Sequence, residues 1–174
     1  MACAMERAAS IRLLVLDADG TLTDGGIYTG GDGELLKRFD IKDGLGISLW
    51  HKAGGKTAVI TGRSSDILAA RAKELGIADL HQGCLDKRKA WETLKAHYDL
   101  TDKEMAYVGD DLIDLPLLRR AGFAAAPSDA ADEVKAWSHF VAAHRGGHGA
   151  VREVVEFLLK AQGRWNDLVN TFLS

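Results

Sequence analysis

The sequence of 174 residues is short of several features that mark particular classes of protein. Its two cysteines, Cys3 and Cys84, lie far apart without a CxxC spacing, so neither a zinc site nor a disulfide framework is expected. No apolar run approaches the roughly twenty residues that span a bilayer, and residues 1–12 lack the charged and then apolar order of a signal peptide. We therefore expect a cytoplasmic protein with no membrane partner.

An excess of basic residues is also absent. The chain carries 22 lysine and arginine residues against 25 aspartate and glutamate residues, which gives a net charge of −3 with both signs scattered. Binding to a nucleic acid backbone needs a basic stripe, so no nucleic acid partner is expected. With two prolines, no internal repeat and no linker-like segment, the length predicts a single domain over residues 1–174.

Short aliphatic runs alternate with segments of helical period along the chain. The runs predict strands at 11–16, 56–61, 79–81, 104–109 and 123–127, with 138–142 as a candidate edge strand. Such alternation is typical of βαβ units around a parallel sheet. The sequence therefore predicts an α/β fold, a Rossmann-like, doubly wound and mostly parallel sheet.

Helices are predicted between these strands. The segments 43–54, 64–76, 86–98 and 151–162 space their apolar residues three or four apart, as helices that cover a sheet do. Gly55 and Gly76 stand where a left-handed helix stop is expected. The last of these helices belongs to a C-terminal helix and tail of about 148–174.

One segment, at about 26–39, does not fit the alternation. It places aromatic and apolar residues on both sides of a glycine-rich GGDG turn at 30–33. This arrangement predicts a β-hairpin inserted after the first strand.

Polar residues follow the strands at the positions where an open parallel sheet binds its ligands. They are Asp17, Asp19, Thr61, Gly62, Arg63, Lys87, Asp110, Asp111 and Asp114. Each by itself is more typical of a turn or a helix cap. Carboxylates after two separate strands would meet at one edge, however, where they repel each other unless a cation lies among them. Oxygen ligands, and no ligand spacing among the six histidines, favour Mg²⁺ over zinc.

The segments LLVLDADGT, VITGR, Lys87 and VGDDLIDLP, in this order, resemble the four motifs of the haloacid dehalogenase superfamily over residues 11–116. The resemblance implies Mg²⁺-dependent hydrolysis of a phosphate monoester through an aspartyl phosphate. It implies that Asp17 is the nucleophile and that Asp19 is the general acid and then the general base. Lys87 would neutralise charge during catalysis.

The resemblance also implies the groups that hold the metal and the phosphate. The metal ligands would be the Asp17 carboxylate, the Asp19 main-chain carbonyl and Asp110. Asp111 and Asp114 would lie around the metal-bound waters, and the choice between these two is open. The phosphate oxygens would be held by Thr61 and the amide of Gly62.

Most members of the superfamily carry a cap domain, but this sequence has no room for one. Thirty-nine residues separate Thr21 from Thr61, and 25 separate Thr61 from Lys87. The hairpin, the phrase FDIKDGLGI at 39–47, the TGR motif and RGGHGAVREV at 145–154 resemble the capless phosphatases that hydrolyse 3-deoxy-D-manno-octulosonate 8-phosphate. This resemblance implies a role in lipopolysaccharide precursor synthesis and a homotetramer in which a neighbouring subunit's tail covers the site.

Substrate choice depends on Arg63 in particular. Its guanidinium would pair with the sugar carboxylate, or it forms an ordinary surface salt bridge. The alternative substrate is a nonulosonate 9-phosphate, a nine-carbon sugar phosphate on which relatives with this architecture act. Arg63 favours the eight-carbon sugar phosphate. Arg145 and Arg152 are further candidates for anion contact, whereas His148 departs from the family pattern and leaves the role of the tail open.

Asp43 begins a predicted helix, where it is expected as an N-cap, with proximity to the substrate as the alternative.

Two alternative functions of other protein classes also remain. A response-regulator receiver shares the acidic pair, Thr and Lys, but its Lys comes last, whereas here GDDLIDLP follows Lys87. A catalytically silent phosphate-binding module typically loses one of the two aspartates at positions 17 and 19, and both are present.

Overall fold

The chain forms a six-stranded sheet and a separate two-stranded hairpin in the computed structural model, which describes residues 3–31 and 33–173. The strands are β1 (Leu13–Leu16), β2 (Tyr28–Gly30), β3 (Gly33–Leu36), β4 (Lys56–Ile60), β5 (Asp79–His81), β6 (Met105–Val108), β7 (Phe123–Ala126) and β8 (Phe140–Val141). Every predicted strand of the main sheet is confirmed, and each lies within its predicted range.

Helices connect these strands and cover both faces of the main sheet. They are α1 (Ala4–Ala9), α2 (Ile41–Lys52), α3 (Asp66–Glu74), α4 (Lys87–His97), α5 (Leu115–Leu118), α6 (Asp132–Trp137), α7 (Ala150–Ala161) and α8 (Trp165–Asn170). Single 3₁₀ turns precede β6 and α5. The four predicted helices are confirmed as α2, α3, α4 and α7. The short helices α1, α5 and α6 were not predicted, and α8 lies in the segment that was predicted as a tail.

The strands of the main sheet are parallel and follow the order β5-β4-β1-β6-β7-β8. The central strand β1 pairs with β4 on one side and with β6 on the other. The chain therefore winds outward in two directions from β1, which confirms the doubly wound Rossmann-like fold. This topology leaves a crevice beyond the carboxyl ends of β1 and its two neighbours.

Alternate side chains of β1 enter two different hydrophobic cores because successive residues of a strand point to opposite faces. Leu14 and Leu16 belong to the core that includes residues of α2, α3 and α7. Leu13 and Val15 belong to the core that includes residues of α4, α5 and α6. Burial on both faces explains why β1 is an uninterrupted aliphatic run.

The hairpin of β2 and β3 lies between β1 and α2, as predicted, and residue 32 of its turn lies outside the described residues. Large apolar side chains of this hairpin are exposed, namely those of Ile27, Tyr28, Leu35 and Leu36. No other insertion separates β1 from α2, and α3 and β5 occupy the chain between β4 and α4. The expectation of a capless fold is therefore confirmed for this part of the chain.

Of the two glycines predicted as left-handed helix stops, Gly76 is confirmed and Gly55 is wrong. Gly54, and not Gly55, adopts the left-handed conformation after α2, with φ of +86°. Gly55 serves a different purpose, because a Cβ there would lie 2.1 Å from the Trp50 ring. Gly76 does have a positive φ, of +68°, as predicted.

Asp43 is not the N-cap of its own helix. That position belongs to Asp40, whose Oδ1 accepts the Lys42 amide at 2.7 Å. The carboxylate of Asp43 instead accepts amides from Gly149 at 3.3 Å and from Arg152 at 2.7 Å, where α7 begins. Asp43 is buried, and this burial raises its pKa to about 6 although the two amide hydrogen bonds oppose the shift. The residue therefore joins α2 to α7 by capping a helix distant in the sequence.

The described helices include none that combines the length and the apolar character needed to cross a bilayer.

Candidate active site

The crevice at the carboxyl end of β1 gathers most of the residues that the motifs single out. Asp17 follows the last residue of β1, and its N–H donates to the Val108 carbonyl at the end of β6, at 2.9 Å. This hydrogen bond continues the pairing of β1 with β6 by one step. The side chain of Asp17 is thereby placed beside the residues that follow β6.

Lys87 lies in the middle of this group. Its Nζ donates to Asp17 Oδ1 at 2.6 Å and to Asp114 Oδ1 at 2.7 Å, and it contacts the Tyr107 hydroxyl at 3.1 Å. Burial by itself lowers the pKa of Lys87, but the charges of Asp17 and Asp114 outweigh it and raise the pKa above its ordinary value. The ammonium is therefore a buried, permanent cation next to the predicted nucleophile.

Asp114 uses both of its oxygens inside the protein. Oδ1 accepts from Lys87 and from the Tyr107 hydroxyl at 2.6 Å, and Oδ2 accepts the amides of Asp110 at 2.9 Å and Asp111 at 3.2 Å. Asp111, by contrast, is exposed and accepts the Leu112 amide at 2.7 Å. Of the two residues whose ranking the sequence left open, Asp114 is the one in contact with the site.

Glycine is required at the position just before these aspartates. A Cβ on Gly109 would lie 2.4 Å from the carboxyl carbon of Asp114. Real Cβ contacts do not come so close, so a side chain at this position would push Asp114 away from the amides that it accepts. The Gly in the GDD motif thus allows the backbone to wrap around a buried carboxylate.

Asp110 has a different environment, because no cation compensates its charge among the described ion pairs. Its Oδ1 accepts from the Thr21 hydroxyl at 3.4 Å, which is a long contact. Burial raises the pKa of Asp110 to about 8, and the charges of Asp17 and Asp114 add to the shift. Burial also raises the pKa of Asp17 to about 6; the Asp114 charge adds to this shift, and Lys87 opposes it.

A divalent cation fits this set of residues. Carboxylate oxygens of Asp17, Asp110 and Asp114 lie within 4.8 Å of one another. Asp114 is already fully hydrogen-bonded, so Asp17 and Asp110 are the two carboxylates with oxygens left for a metal. Asp17 is buried and Asp110 is partly buried, the two carboxylates repel each other, and Lys87 pairs with Asp17 but not with Asp110. A hard cation relieves such an arrangement, and Mg²⁺ prefers such oxygen ligands.

The side chain of Asp19 points to a second group of charges, which comes from the hairpin and from the loop after β4. Its Oδ1 accepts from Lys37 Nζ, and its Oδ2 lies 3.6 Å from Arg63 Nε. Glu34 completes the group, with 3.0 Å to Lys37 Nζ and 3.7 Å to Arg63 Nη2. Arg63, whose side chain is 45% exposed, is therefore engaged with two carboxylates of its own chain.

Thr61 and Gly62 follow β4, the strand next to β1. The Thr61 amide donates to the His81 carbonyl at 2.9 Å and its carbonyl accepts from Cys84 at 2.9 Å, so its backbone is held on both sides. The Thr61 side chain is buried, and among the described residues its hydroxyl has one long contact, 3.4 Å from the Arg63 amide. A threonine hydroxyl without a strong partner at a strand end can hydrogen-bond a bound anion.

The segment 145–149 packs directly on the loop that follows Asp17. The Gly147 amide donates to the Thr21 carbonyl at 3.0 Å, and a Cβ on Gly146 would lie 1.8 Å from the Gly20 carbonyl oxygen. Gly146 and Gly147 therefore permit a backbone contact that side chains would block. His148 Nδ1 contacts the Gly146 carbonyl at 2.8 Å, so this histidine belongs to the same turn.

The two arginines predicted as candidates for anion contact have partners within the chain. Arg145 Nε lies 3.0 Å from Asp129 Oδ2. Arg152 Nε lies 2.8 Å from Glu156 Oε1, one helical turn further along α7. Their role in anion contact stays a prediction.

Sequence reasoning missed Tyr107, Lys37 and Glu34. Tyr107 carried a signal, because it is the only hydroxyl in the aliphatic run of β6 and stands just before the GDD motif. Burial raises its pKa well above the ordinary value, and nearby carboxylates add to the shift, so the hydroxyl stays protonated and donates to Asp114. Lys37 and Glu34 carried no signal, because a hairpin sequence does not reveal what it folds against.

Known proteins match this chain over most of its length. The sequence profile of the haloacid dehalogenase-like hydrolase family matches residues 66–154. The 3-deoxy-D-manno-octulosonate 8-phosphate phosphatase of Yersinia pestis is 43% identical, over 92% of this chain and 86% of that protein.

Two solved structures have closely similar folds. The phosphatase of that name from Moraxella catarrhalis, solved in complex with a magnesium ion, a phosphate ion and a KDO molecule, is 40% identical with a TM-score of 0.94, over 97% of both chains. The cobalt-bound deoxy-D-mannose-octulosonate 8-phosphate phosphatase of Haemophilus influenzae is 37% identical with a TM-score of 0.92, over 97% of this chain and 99% of the other. Motif order, fold and relatives agree, and the chain belongs to the haloacid dehalogenase-like hydrolase family.

Proposed function

We propose that this protein is a Mg²⁺-dependent phosphatase that hydrolyses 3-deoxy-D-manno-octulosonate 8-phosphate to the free sugar acid, a step in lipopolysaccharide precursor synthesis. The observation that carries the proposal is the group of Asp17, Lys87 and Asp110 at the end of β1, in which the buried Asp17–Lys87 pair lies beside the partly buried carboxylate of Asp110. Relatives of 43% and 40% identity that bear this activity in their names support the choice of substrate.

Asp17 is the nucleophile in this proposal. One of its carboxylate oxygens attacks phosphorus, the bond from phosphorus to the sugar oxygen breaks, and an aspartyl phosphate forms. Covalent catalysis of this kind divides one difficult displacement into two easier ones. Lys87, at 2.6 Å from Asp17, keeps a positive charge where the carboxylate and the phosphate must approach each other.

Asp19 moves the proton in both steps. As a general acid it gives a proton to the leaving sugar oxygen, and as a general base it takes a proton from the water that attacks the aspartyl phosphate. That second attack breaks the bond between phosphorus and the Asp17 oxygen and releases inorganic phosphate. Asp17 and Asp19 then return to their starting states.

The remaining residues bind and orient. Mg²⁺, held by Asp17, Asp110 and the Asp19 carbonyl, would supply positive charge to the phosphate oxygens. Thr61 and the Gly62 amide would hydrogen-bond the non-bridging oxygens. Asp114 fixes Lys87, with Asp111 further out.

Arg63 determines substrate choice in this proposal. It would exchange its long contacts to Asp19 and Glu34, of 3.6 and 3.7 Å, for the carboxylate of the sugar acid. Such contacts are weak at a half-exposed guanidinium, so a bidentate carboxylate can displace them. A nonulosonate 9-phosphate is the alternative substrate.

We further propose a homotetramer in which the exposed apolar residues of the hairpin, Ile27, Tyr28, Leu35 and Leu36, meet those of other copies. Exposed side chains of this size on one small element are typical of an interaction surface. The tail of a neighbouring subunit would then cover the site. The 174 residues act as one cytoplasmic catalytic domain in this proposal, with the hairpin and the C-terminal segment as parts of it.

A phosphate-release screen tests the activity. The purified protein with Mg²⁺ would be assayed on eight-carbon and nine-carbon ulosonate phosphates, with Asp17→Asn as the inactive control. We expect turnover of the eight-carbon substrate to exceed that of the others by at least about tenfold, which corresponds to about 1.4 kcal/mol. A preference for the nine-carbon substrate would overturn the assigned sugar, and activity in Asp17→Asn would overturn the nucleophile. A receiver would release phosphate at most once per chain.

A further inference from the structure

Lys37, on the hairpin, is an unusually enclosed lysine. Its side chain is 3% exposed although the hairpin around it is largely open to solvent. A buried ammonium is costly unless carboxylates compensate it, and Lys37 has two, Asp19 and Glu34. Burial by itself lowers the pKa of Lys37, but the hydrogen bonds and charges of these two carboxylates outweigh it and raise the pKa.

The contacts of Lys37 are themselves anchored. Glu34, which lies in β3 three residues before Lys37, accepts from the Ser65 hydroxyl, and Ser65 is the N-cap of α3. The next residue, Arg38, donates to the Gly147 carbonyl in the segment that packs on the loop after β1. Contacts of the hairpin therefore fix the position of the Lys37 ammonium. The hydrogen bond from Lys37 in turn fixes the position of the Asp19 carboxylate.

The two oxygens of Asp19 are not equivalent. Lys37 directly hydrogen-bonds Oδ1, whereas Oδ2 has, within the described part of the chain, only the 3.6 Å contact to the half-exposed Arg63. A general acid must present one oxygen within hydrogen-bond reach of the leaving group. An aspartate held at one oxygen loses rotational freedom and keeps the other oxygen for proton transfer, and such positioning accounts for large parts of catalytic rates.

We propose that Lys37 is a positioning residue that holds Oδ1 of Asp19, so that Oδ2 delivers the proton to the leaving sugar oxygen. The hairpin then has a role in the chemistry of its own subunit, apart from any contact between subunits. This inference rests on the proposed phosphatase function. The proton leaves Asp19 Oδ2 and arrives on the sugar oxygen as the bond to phosphorus breaks, and Lys37 keeps its own protons throughout.

Comparing two leaving groups tests the proposal. A sugar alkoxide needs a proton as it leaves, whereas p-nitrophenolate is a weak base that needs none. With Lys37→Met we expect kcat/KM for the sugar phosphate to fall by about 10- to 100-fold, which is a part of the roughly 10²- to 10⁴-fold that general acid catalysis contributes. We expect kcat/KM for p-nitrophenyl phosphate to fall by less than about threefold. Asp19→Asn should show the same pattern with a larger effect.

Two further variants serve as controls. Lys37→Arg retains the positive charge and a hydrogen-bond donor, so its kcat/KM for the sugar phosphate should lie between those of Lys37→Met and the wild-type protein. If Lys37→Met does not fold, the two substrates can still be compared with Lys37→Arg. Lys56→Met removes an exposed lysine at the amino end of β4, which is the opposite end of the sheet. It should leave kcat/KM unchanged for both substrates.

The outcomes separate the two claims. Equal losses on both substrates would mean that Lys37 only supports the fold, and no loss on the sugar phosphate would mean that it does not position Asp19. Either result overturns this inference and leaves the phosphatase function intact. A wild-type protein that hydrolyses neither substrate would overturn the proposed function, and the role of Lys37 with it.

Discussion

Lys87 Nζ lies 2.6 Å from Asp17 Oδ1, across 70 residues of sequence, and both side chains are buried. The pair joins the end of β1 to the first residue of α4. Because an ion pair inside a protein must offset the desolvation of both charges, its presence at the proposed nucleophile indicates a functional rather than a stabilising purpose.

Removing the ammonium of Lys87 should damage both activity and stability. Lys87→Met leaves Asp17 and Asp114 buried without their cation, and breaking a buried pair in this way costs about 3–5 kcal/mol. We expect phosphatase activity to fall by at least about 100-fold, and urea denaturation to show a loss of about 3 kcal/mol. Lys89→Met, on the exposed side of the same helix, is the matched control and should change neither quantity by much. An active Lys87→Met enzyme would contradict the assigned role.

Asp110 should make the metal-free protein less stable as the pH rises. Its pKa in the folded chain is about 8, against an ordinary value of 3.8, so the folded state holds the proton more tightly than the unfolded state. Stability contributed by the protonated form is therefore lost as the pH rises between these two values. In EDTA we expect the free energy of unfolding to fall by at least about 1 kcal/mol from pH 6 to pH 8.

Asp110→Asn identifies the source of that pH dependence. The variant has no proton to lose at this position, so its stability in EDTA should decline less over the same interval. It should also be inactive and show a weaker rise in thermal stability on addition of Mg²⁺. A pH slope equal to that of the wild-type protein would show that another group is responsible.

Asp43 should contribute to the attachment of α7. Its carboxylate accepts two amides at the start of that helix, from Gly149 and Arg152. Removal of a capping acceptor costs about 0.5–2 kcal/mol, and the Asp43→Ala variant should lie at the upper end because the amides it leaves are buried or partly buried. Asp43→Asn keeps an acceptor and should lose less in chemical denaturation. Equal losses in the two variants would indicate that the hydrogen bonds contribute little.

Gly146→Ala should disturb the loop that follows Asp17, the proposed nucleophile. The added Cβ would meet the Gly20 carbonyl oxygen at 1.8 Å, so one of the two backbone segments must move. We expect phosphatase activity to fall by at least about tenfold, since small displacements of catalytic groups are costly. Gly31→Ala, where a Cβ would have no neighbour within 4 Å, is the matched control. Unchanged activity in Gly146→Ala would show that the contact can relax.

Strand positions and motif positions were readable from the sequence because both depend on local order. An uninterrupted aliphatic run such as β1 is required by burial on two faces, and a polar residue directly after it must lie at the sheet edge. The fold class and the convergence of Asp17, Lys87 and Asp110 follow from these two facts and the order of the strands. The lack of room for a cap domain follows from the short spacing between the motifs. Gly54 and Gly55 were exchanged because two adjacent glycines give no local sign of which one turns and which one contacts a ring.

Amino-acid order by itself determined the sheet, the catalytic family and the rim on which the chemistry is placed, since each depends on residue type and spacing along one stretch of chain. Only the tertiary structure decided that Asp114 is saturated by hydrogen bonds while Asp110 is left for a cation, that Asp43 caps a distant helix, and that Lys37 holds Asp19. These contacts join residues that are far apart in sequence or lie on different elements. Their partners are chosen by the packing of whole elements, and such packing leaves no local pattern to read.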